Sequence, residues 1–253
     1  MRSASIPLIF KYGDIYFSAG TGTLFEISGR HFIITARHVF DRHDPTRLAY
    51  PEHPDQTVVR TVGISRLVKP DTDQIDVAVI EILEDVTKQK LTTGWKFLTL
   101  NNVAPATNNG IFALMGYPSE LSTQKEKWKP ASGIIYFSNR MMLAPHGASN
   151  LNPDIDLFFE YDAVVIKEGS EEVQAPDLTG TSGGAIWELG DLEGGIWAPG
   201  KVLKVVGVQS AQLKKQYFRA VSWAAVASIF GQMEEDLRTA IRQVLEPSKE
   251  LAS

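Results

Sequence analysis

The chain has 253 residues, 43% hydrophobic and 22% charged, enough for one large core or two modest ones, so that it need not be disordered and a fibrous or low-complexity protein is excluded. Thirty acidic against 25 basic side chains leave a formal charge of −5, too slight to mark a nucleic-acid partner. With no cysteine there are neither disulfides nor thiolate metal sites, and a reducing compartment is expected.

The N-terminal segment holds only a short apolar stretch, 6–10, before Lys11, which is not a signal-peptide pattern. No apolar run approaches the roughly 20 residues of a membrane-spanning helix, so a cytoplasmic protein with no membrane partner is expected. From residue 6 to about 208, runs of β-branched and aromatic residues alternate with Gly, Pro, Asn and Asp. Strands are predicted at 15–17, 22–27, 31–35, 76–82, 111–115, 133–137, 157–161, 185–188 and 202–208, an all-β rhythm. Long surface loops are predicted at 50–56, 125–130, 145–153 and 167–176, where Pro, Gly and charge cluster. From Ser222 the period changes. Val226, Ile229, Phe230, Met233, Leu237, Ile241 and Val244 recur at spacings of three and four, predicting one amphipathic helix that Pro247 ends.

Three segments carry chemistry. In the first, Gly20-Thr21-Gly22-Thr23-Leu24-Phe25, a turn at Ser28-Gly29 and a second apolar strand bring His38 to a strand's end, where its ring can face a cleft. Taken alone, this segment is open to two readings, a catalytic base and a hydrogen-bonded structural histidine. In the second, Asp76 opens the apolar run Val77-Ala78-Val79-Ile80, where an ionised carboxylate is costly unless a cation or donor faces it. A turn residue at a strand start is the other reading. In the third, Gly180-Thr181-Ser182-Gly183-Gly184 brackets a serine with glycines, so that the backbone can adopt positive φ and turn consecutive amides to one side, as an oxyanion hole requires. An ordinary glycine-rich turn explains it too, whereas a phosphate-binding loop does not, because no Gly-Lys-Ser/Thr follows.

The conjunction is more informative than any part. A serine nucleophile needs a histidine to take its proton and a carboxylate to hold the histidine tautomer. Here they occur in the order His38, Asp76, Ser182, which belongs to double-barrel hydrolases and not to the other folds that use a triad. With Gly20-Thr21-Gly22-Thr23-Leu24, Thr35-Ala36-Arg37-His38-Val39, Asp73-Gln74-Ile75-Asp76-Val77-Ala78-Val79, Gly116-Tyr117-Pro118 and Gly180-Thr181-Ser182-Gly183-Gly184 in sequence, residues 6–230 resemble a trypsin-like, chymotrypsin-fold serine protease of the compact, cysteine-free bacterial kind. The resemblance implies two packed six-stranded antiparallel β-barrels with a C-terminal α-helix. Residues 1–105 would form the barrel carrying His38 and Asp76, residues 106–221 the barrel carrying Ser182, and residues 222–253 the helix and tail. It further implies a serine endopeptidase acting on a polypeptide substrate without metal or cofactor. Ser182 would be nucleophile, His38 base and then acid, Asp76 the orienting carboxylate, and the Gly180 and Ser182 amides the oxyanion hole.

The family's secreted members carry an aspartate before the serine, paired with a freed N-terminus; here that place is Thr181, so other contacts, or a bound substrate or partner, must order the loop. The substrate pocket is expected among Pro176, Asp177, Leu178, Thr179, Ser210, Ala211, Gln212 and Gln216. With Pro176 at its floor the pocket favours small or medium uncharged side chains; a one-residue shift to Asp177 would favour lysine or arginine. Lys201, Lys204, Lys214 and Lys215 read as a solvated basic rim, and His31, His43, His53 and His146 have no ligand-like spacing. Trp187 and Trp223 read as core or helix-docking residues. The apolar stripe of the last helix is expected on the second barrel, with Met233, Leu237, Ile241 and Val244 as a surface for a regulatory protein partner. The alternative to an enzyme is a protease-fold module that binds or senses a peptide and stays inactive until a partner orders its loop.

Overall fold

The computed structural model describes residues 1–54, 57–70, 72–121, 124–125, 127–128, 133–167, 171–190 and 202–245; Lys201 and Pro247 lie outside the described residues. The first half contains β1 (Ser5–Tyr12), β2 (Ile15–Ile27), β3 (Arg30–Thr35), β4 (Leu48–Pro51), β5 (Val59–Thr61), β6 (Ser65–Val68), β7 (Ala78–Ile82) and the helix α1 (Asp85–Gly94). Then follow β8 (Ile111–Gly116), the short pair β9 (Gln124–Lys125) and β10 (Lys127–Trp128), β11 (Ile134–Met141), β12 (Asp156–Glu160), the hairpin β13 (Val164–Lys167) and β14 (Glu171–Gln174), β15 (Ala185–Leu189), β16 (Leu203–Leu213) and β17 (Tyr217–Ser222). The helices α2 (Trp223–Met233) and α3 (Glu235–Leu245) complete the described chain.

The two expected barrels are only partly realised. Strands β11-β12-β17-β16-β15-β8 form a closed six-stranded barrel, whereas the first half is a seven-stranded sheet in the order β5-β4-β1-β2-β3-β7-β6, with no ladder joining its edges among the described residues. The edge strands β5 and β6 are consecutive in the chain, and the four Cα steps from Thr61 to Ser65 span at most about 14 Å, so the sheet must roll until its edges meet. The linking segment is hydrogen-bonded at both ends, Val62 N–H to the Leu48 carbonyl (2.9 Å) and the Leu83 N–H to the Ile64 carbonyl (3.0 Å). A covalent link thus takes the place of the last row of hydrogen bonds.

The apolar runs in β3 and β7, and at Leu24-Phe25 of β2, have a direct cause. Successive side chains face opposite ways, and here both faces are covered. Leu24, Ile33 and Ile80 fill the rolled sheet, while Phe25, Phe32, Ile34 and Val79 face the other half of the molecule. The closed barrel divides its residues in the same manner: Phe112, Leu114 and Ile186 point inward, and Ala113, Met115, Ala185 and Trp187 point to the shared layer. Both Trp187 and Trp223 lie in that layer, in keeping with their reading as core residues.

The C-terminal helix differs from expectation in two respects. It is two helices, because Glu234 is extended (φ −155°, ψ 134°) and forms an ion pair with Arg30 of β3 at 2.7 Å. Arg238 lies against Gly231, where an added Cβ would come within 2.5 Å of its Cδ, so α3 folds back on α2. The apolar stripe also reaches the first half, not the second barrel alone. Phe230 meets Phe32 edge-on at 4.9 Å and Trp223 meets Phe25 at 4.8 Å, contacts worth about 0.5–1.5 kcal/mol each beyond their buried area. Leu237 and Ile241 are fully buried, with Met233 and Val244 packed beside them, so the stripe expected to receive a partner is occupied by the chain itself. The helix α1 and the hairpin β13–β14 fall where the sequence reading placed no helix and a loop, respectively.

Candidate active site

His38 and Asp76 meet through strand register. β3 and β7 are antiparallel neighbours with Thr35 opposite Ala78, so the chain leaving β3 and the chain entering β7 lie side by side. His38 sits in the single 3-10 turn Arg37–Phe40, where Asp76 accepts two hydrogen bonds from it, from the backbone N–H (3.0 Å) and from Nδ1 (2.7 Å). An ionised carboxylate only accepts, so Nδ1 carries the proton and Nε2 of the neutral ring is left as an acceptor. The ring edge is 42% exposed while the Asp76 side chain is 15% exposed, an arrangement that presents the imidazole to a cleft and keeps its partner sheltered. The Asp76 hydrogen bond raises the His38 pKa above its ordinary value against the opposing effect of burial, with help from the charges of Asp76 and Asp41. Asp73 is paired with Arg37 beside this turn.

The serine loop is positioned by contacts between the two halves. Gly180 (φ +94°) and Gly183 (φ +90°) occupy the left-handed region that glycine alone enters freely. The Thr21 N–H donates to the Ser182 carbonyl (2.8 Å), the Thr21 hydroxyl donates to the Gly180 carbonyl (3.0 Å), and the same hydroxyl accepts from the Tyr117 N–H (3.0 Å). Gly20 permits this approach: a Cβ there would lie 2.7 Å from Val39 Cγ2 and 2.9 Å from the Ser182 carbonyl oxygen. The residue after His38 and the serine backbone therefore face each other across one glycine. Thr181, in the place of the family's aspartate, is fully buried and donates from its hydroxyl to the Leu178 carbonyl at 2.7 Å. The loop is thereby ordered without an ion pair to a chain terminus.

The amides of this loop have a definite direction. The Thr179 carbonyl accepts from the Ser119 N–H (2.7 Å), and in a trans peptide the following N–H points the opposite way, so the Gly180 amide is turned away from Ser119. Among the described residues neither the Gly180 nor the Ser182 amide has an internal acceptor, and no hydrogen bond joins the Ser182 hydroxyl to His38. A cleft of about 350 Å³ lined by Ala19, His38, Val39, Asp41, Arg42 and His43 opens beside the histidine. Another, of about 220 Å³, is lined by Thr72, Asp73, Gln74, Asn150 and Leu151.

Of the expected pocket residues, Asp177, Thr179 and Gln212 are joined by hydrogen bonds. β16 runs past the serine loop, with the Gly183 N–H on the Gln209 carbonyl (2.7 Å) and the Gln209 N–H on the Gly184 carbonyl (2.8 Å). Farther along, Gln212 Nε2 donates to Thr179 Oγ1 (3.2 Å) and to Asp177 Oδ1 (3.3 Å), which joins the walls at 177–179 and 210–212. Ser210 is buried with its hydroxyl on the Arg219 carbonyl (3.3 Å), next to a register shift that ends at Ala211. Pro176 is held by the Tyr161 hydroxyl donating to its carbonyl (2.5 Å), and Leu178 is buried in the barrel interior. Gln216 is in the exposed β16–β17 turn, its N–H on the Leu213 carbonyl at 3.0 Å and its carbonyl accepting from the Tyr161 N–H at 3.2 Å. Asp177 is not an open charge: Lys214 holds its carboxyl well below the usual carboxylate range, with the Thr179 hydroxyl, the Thr179 amide and Gln212 contributing.

Sequence reasoning missed Thr21, Ser119 and Lys214. Thr21 lay inside a motif already noted, but its hydroxyl acts on a loop 159 residues away. Ser119 follows the Gly-Tyr-Pro piece and acts through its backbone, which no side-chain pattern reveals. Lys214 was grouped with a solvated rim, and the acidic partner 37 residues earlier was the available signal.

No protein-family model and no curated protein sequence matches this chain. Solved structures do. The thermostable serine protease AL20 from an extremophilic microorganism matches at 10% identity and TM-score 0.56, over 92% of this chain and 98% of that one. The scabies mite inactivated protease paralogue S-I1 matches at 13% identity and TM-score 0.53, over 92% and 95%. A Sesbania mosaic virus structure, described for aromatic interactions in the coupled folding and binding of the disordered VPg protein, matches at 18% identity and TM-score 0.51, over 90% of each chain. At these identities the likeness shows the fold, that of chymotrypsin-like serine proteases, over nearly the whole chain.

Proposed function

We propose that the chain is a serine endopeptidase of the trypsin-like kind. The observation that carries this reading is the two-point grip of Asp76 on His38, which leaves Nε2 as an acceptor on a turn whose next residue, Val39, meets the serine backbone across Gly20. In the proposed reaction the Ser182 hydroxyl attacks the scissile carbonyl while His38 Nε2 takes its proton. The resulting oxyanion accepts from the unpartnered Gly180 and Ser182 amides, and collapse returns the proton to the leaving amine. Water, deprotonated by the same imidazole, then releases the acyl group. Asp76 keeps the tautomer and stabilises the imidazolium, whose formation is favoured by the same contact that raises the His38 pKa.

A second reading, a protease-fold module that binds or senses a peptide, is favoured by the missing hydrogen bond between Ser182 and His38. Such bonds are commonly long in free enzymes and tighten only with substrate, which favours the enzyme. A fluorophosphonate probe tests the choice, because it reacts only with an activated, accessible serine. Labelling that is lost in Ser182→Ala, together with peptide cleavage, is the expected outcome; an unlabelled, well-folded protein would support the binding module.

A further inference from the structure

We propose that Lys214 is a specificity-determining residue: its ammonium occupies Asp177 as a tethered surrogate for a basic substrate side chain, so that the pocket accepts uncharged side chains before the cleaved bond. This rests on the endopeptidase reading above. The two oxygens of Asp177 are divided between donors: Oδ1 accepts from the Thr179 N–H (2.9 Å), the Thr179 hydroxyl (2.7 Å) and Gln212 Nε2 (3.3 Å), whereas Oδ2 accepts from Lys214 Nζ (2.7 Å). The pair has no net charge. It joins the two walls expected to receive the substrate side chain, Asp177 standing five residues before the serine and Lys214 directly after the strand that flanks the serine loop.

Without Lys214 the same carboxylate would face the pocket with a free acceptor position and would draw a lysine or arginine side chain. With it, an incoming cation must displace an ammonium that the chain itself holds nearby. That competition is intramolecular, so the tethered group has the higher effective concentration. The Lys214 side chain is 55% exposed and stands at the β16–β17 turn, so truncating it opens Asp177 without emptying a core. Both registers weighed for the pocket floor are thereby reconciled: Asp177 is within the pocket group, yet does not act as a bare charge.

The test compares kcat/KM on matched peptides with Leu, Ala, Lys or Arg before the cleaved bond, for wild type, Lys214→Met and Lys214→Met/Asp177→Asn. Wild type should prefer the uncharged peptides. Lys214→Met should raise the Lys or Arg to Leu ratio by about tenfold or more, and adding Asp177→Asn should restore the original ratio. A wild type that already favours Lys or Arg, or a ratio that rises less than tenfold in Lys214→Met, overturns the proposal. Anisotropy measurements of the same peptides binding to the three proteins in a Ser182→Ala background read the preference without turnover. Absent hydrolysis therefore counts against the endopeptidase, and an unaltered binding preference counts against the role of Lys214.

Discussion

His38 and Asp76 are neighbours through one strand register inside the rolled sheet, whereas Ser182 reaches them through hydrogen bonds and a glycine contact made between the two halves. The first arrangement is local in space and needs only β3 and β7. The second depends on Thr21, which bonds the serine loop and the Gly-Tyr-Pro segment with the same hydroxyl. His38 and Asp76 can thus be well placed while Ser182 is displaced, and on the proposed reading changes at the junction should affect catalysis without disturbing the His38–Asp76 pair.

The largest effects test the unit as a whole. Ser182→Ala and His38→Ala should each lower kcat by roughly 10⁴–10⁶-fold, and the double variant should be scarcely worse, because residues that act together are not additive. A single variant that keeps more than about a hundredth of wild-type activity on a fluorogenic peptide would overturn the assignment. Asp76→Asn should cost about 10⁴-fold by favouring the wrong tautomer, with far-ultraviolet circular dichroism unchanged.

Smaller effects separate the two regions. Thr21→Val keeps the shape but leaves the Gly180 carbonyl and the Tyr117 N–H without their partner, at about 1–3 kcal/mol for each buried group. We expect a lower Tm and a 10–100-fold fall in kcat, of the order seen when one oxyanion donor is lost. The acid limb of the kcat/KM profile should stay where it is in wild type; if it moves with Thr21→Val, the two regions are not independent.

The smallest effect is one of pH. His38 has a raised pKa, so the acid limb of kcat/KM should lie above pH 6.5, since only the neutral ring accepts the serine proton. For stability the sign follows from the same shift. A raised folded-state pKa contributes fully below the unfolded value and is lost as pH rises through the folded one. The Tm difference between wild type and His38→Ala should therefore shrink as pH rises above 6.5.

What was legible in the sequence follows the same division. His38, Asp76 and Ser182 announce themselves by residue type at strand ends and in a glycine-rich loop, and the strands of the shared layer by unbroken apolar runs. The helix α1 was not legible, because only Thr87 and Leu91 are buried in it and its other apolar side chain, Val86, is exposed. Nor was the break at Glu234, where an apolar period of three and four continues across a residue turned aside by Arg30, a partner remote in sequence. The rolled sheet was taken for a closed barrel because strand count and apolar pattern are alike in both; closure is decided at its short edge strands. Junction contacts such as Thr21 with Gly180 were hidden for the plain reason that threonine in a strand is unremarkable until its opposite number is known.

The linkage between Thr21 and Gly180 also sets an order in time. A contact across 159 residues forms only after the loop between its ends has been closed, a cost in chain entropy that local contacts do not bear. During synthesis the histidine and aspartate emerge early, and β3 can pair with β7 while the serine is still unmade. The barrel that seats the serine closes only when β17 joins β12 and β16, and Trp223 and Phe230 reach the first half later still. On the proposed reading, the nascent chain until then holds His38 and Asp76 without a seated Ser182, so the order of translation would keep the growing polypeptide chemically silent until the barrel closes.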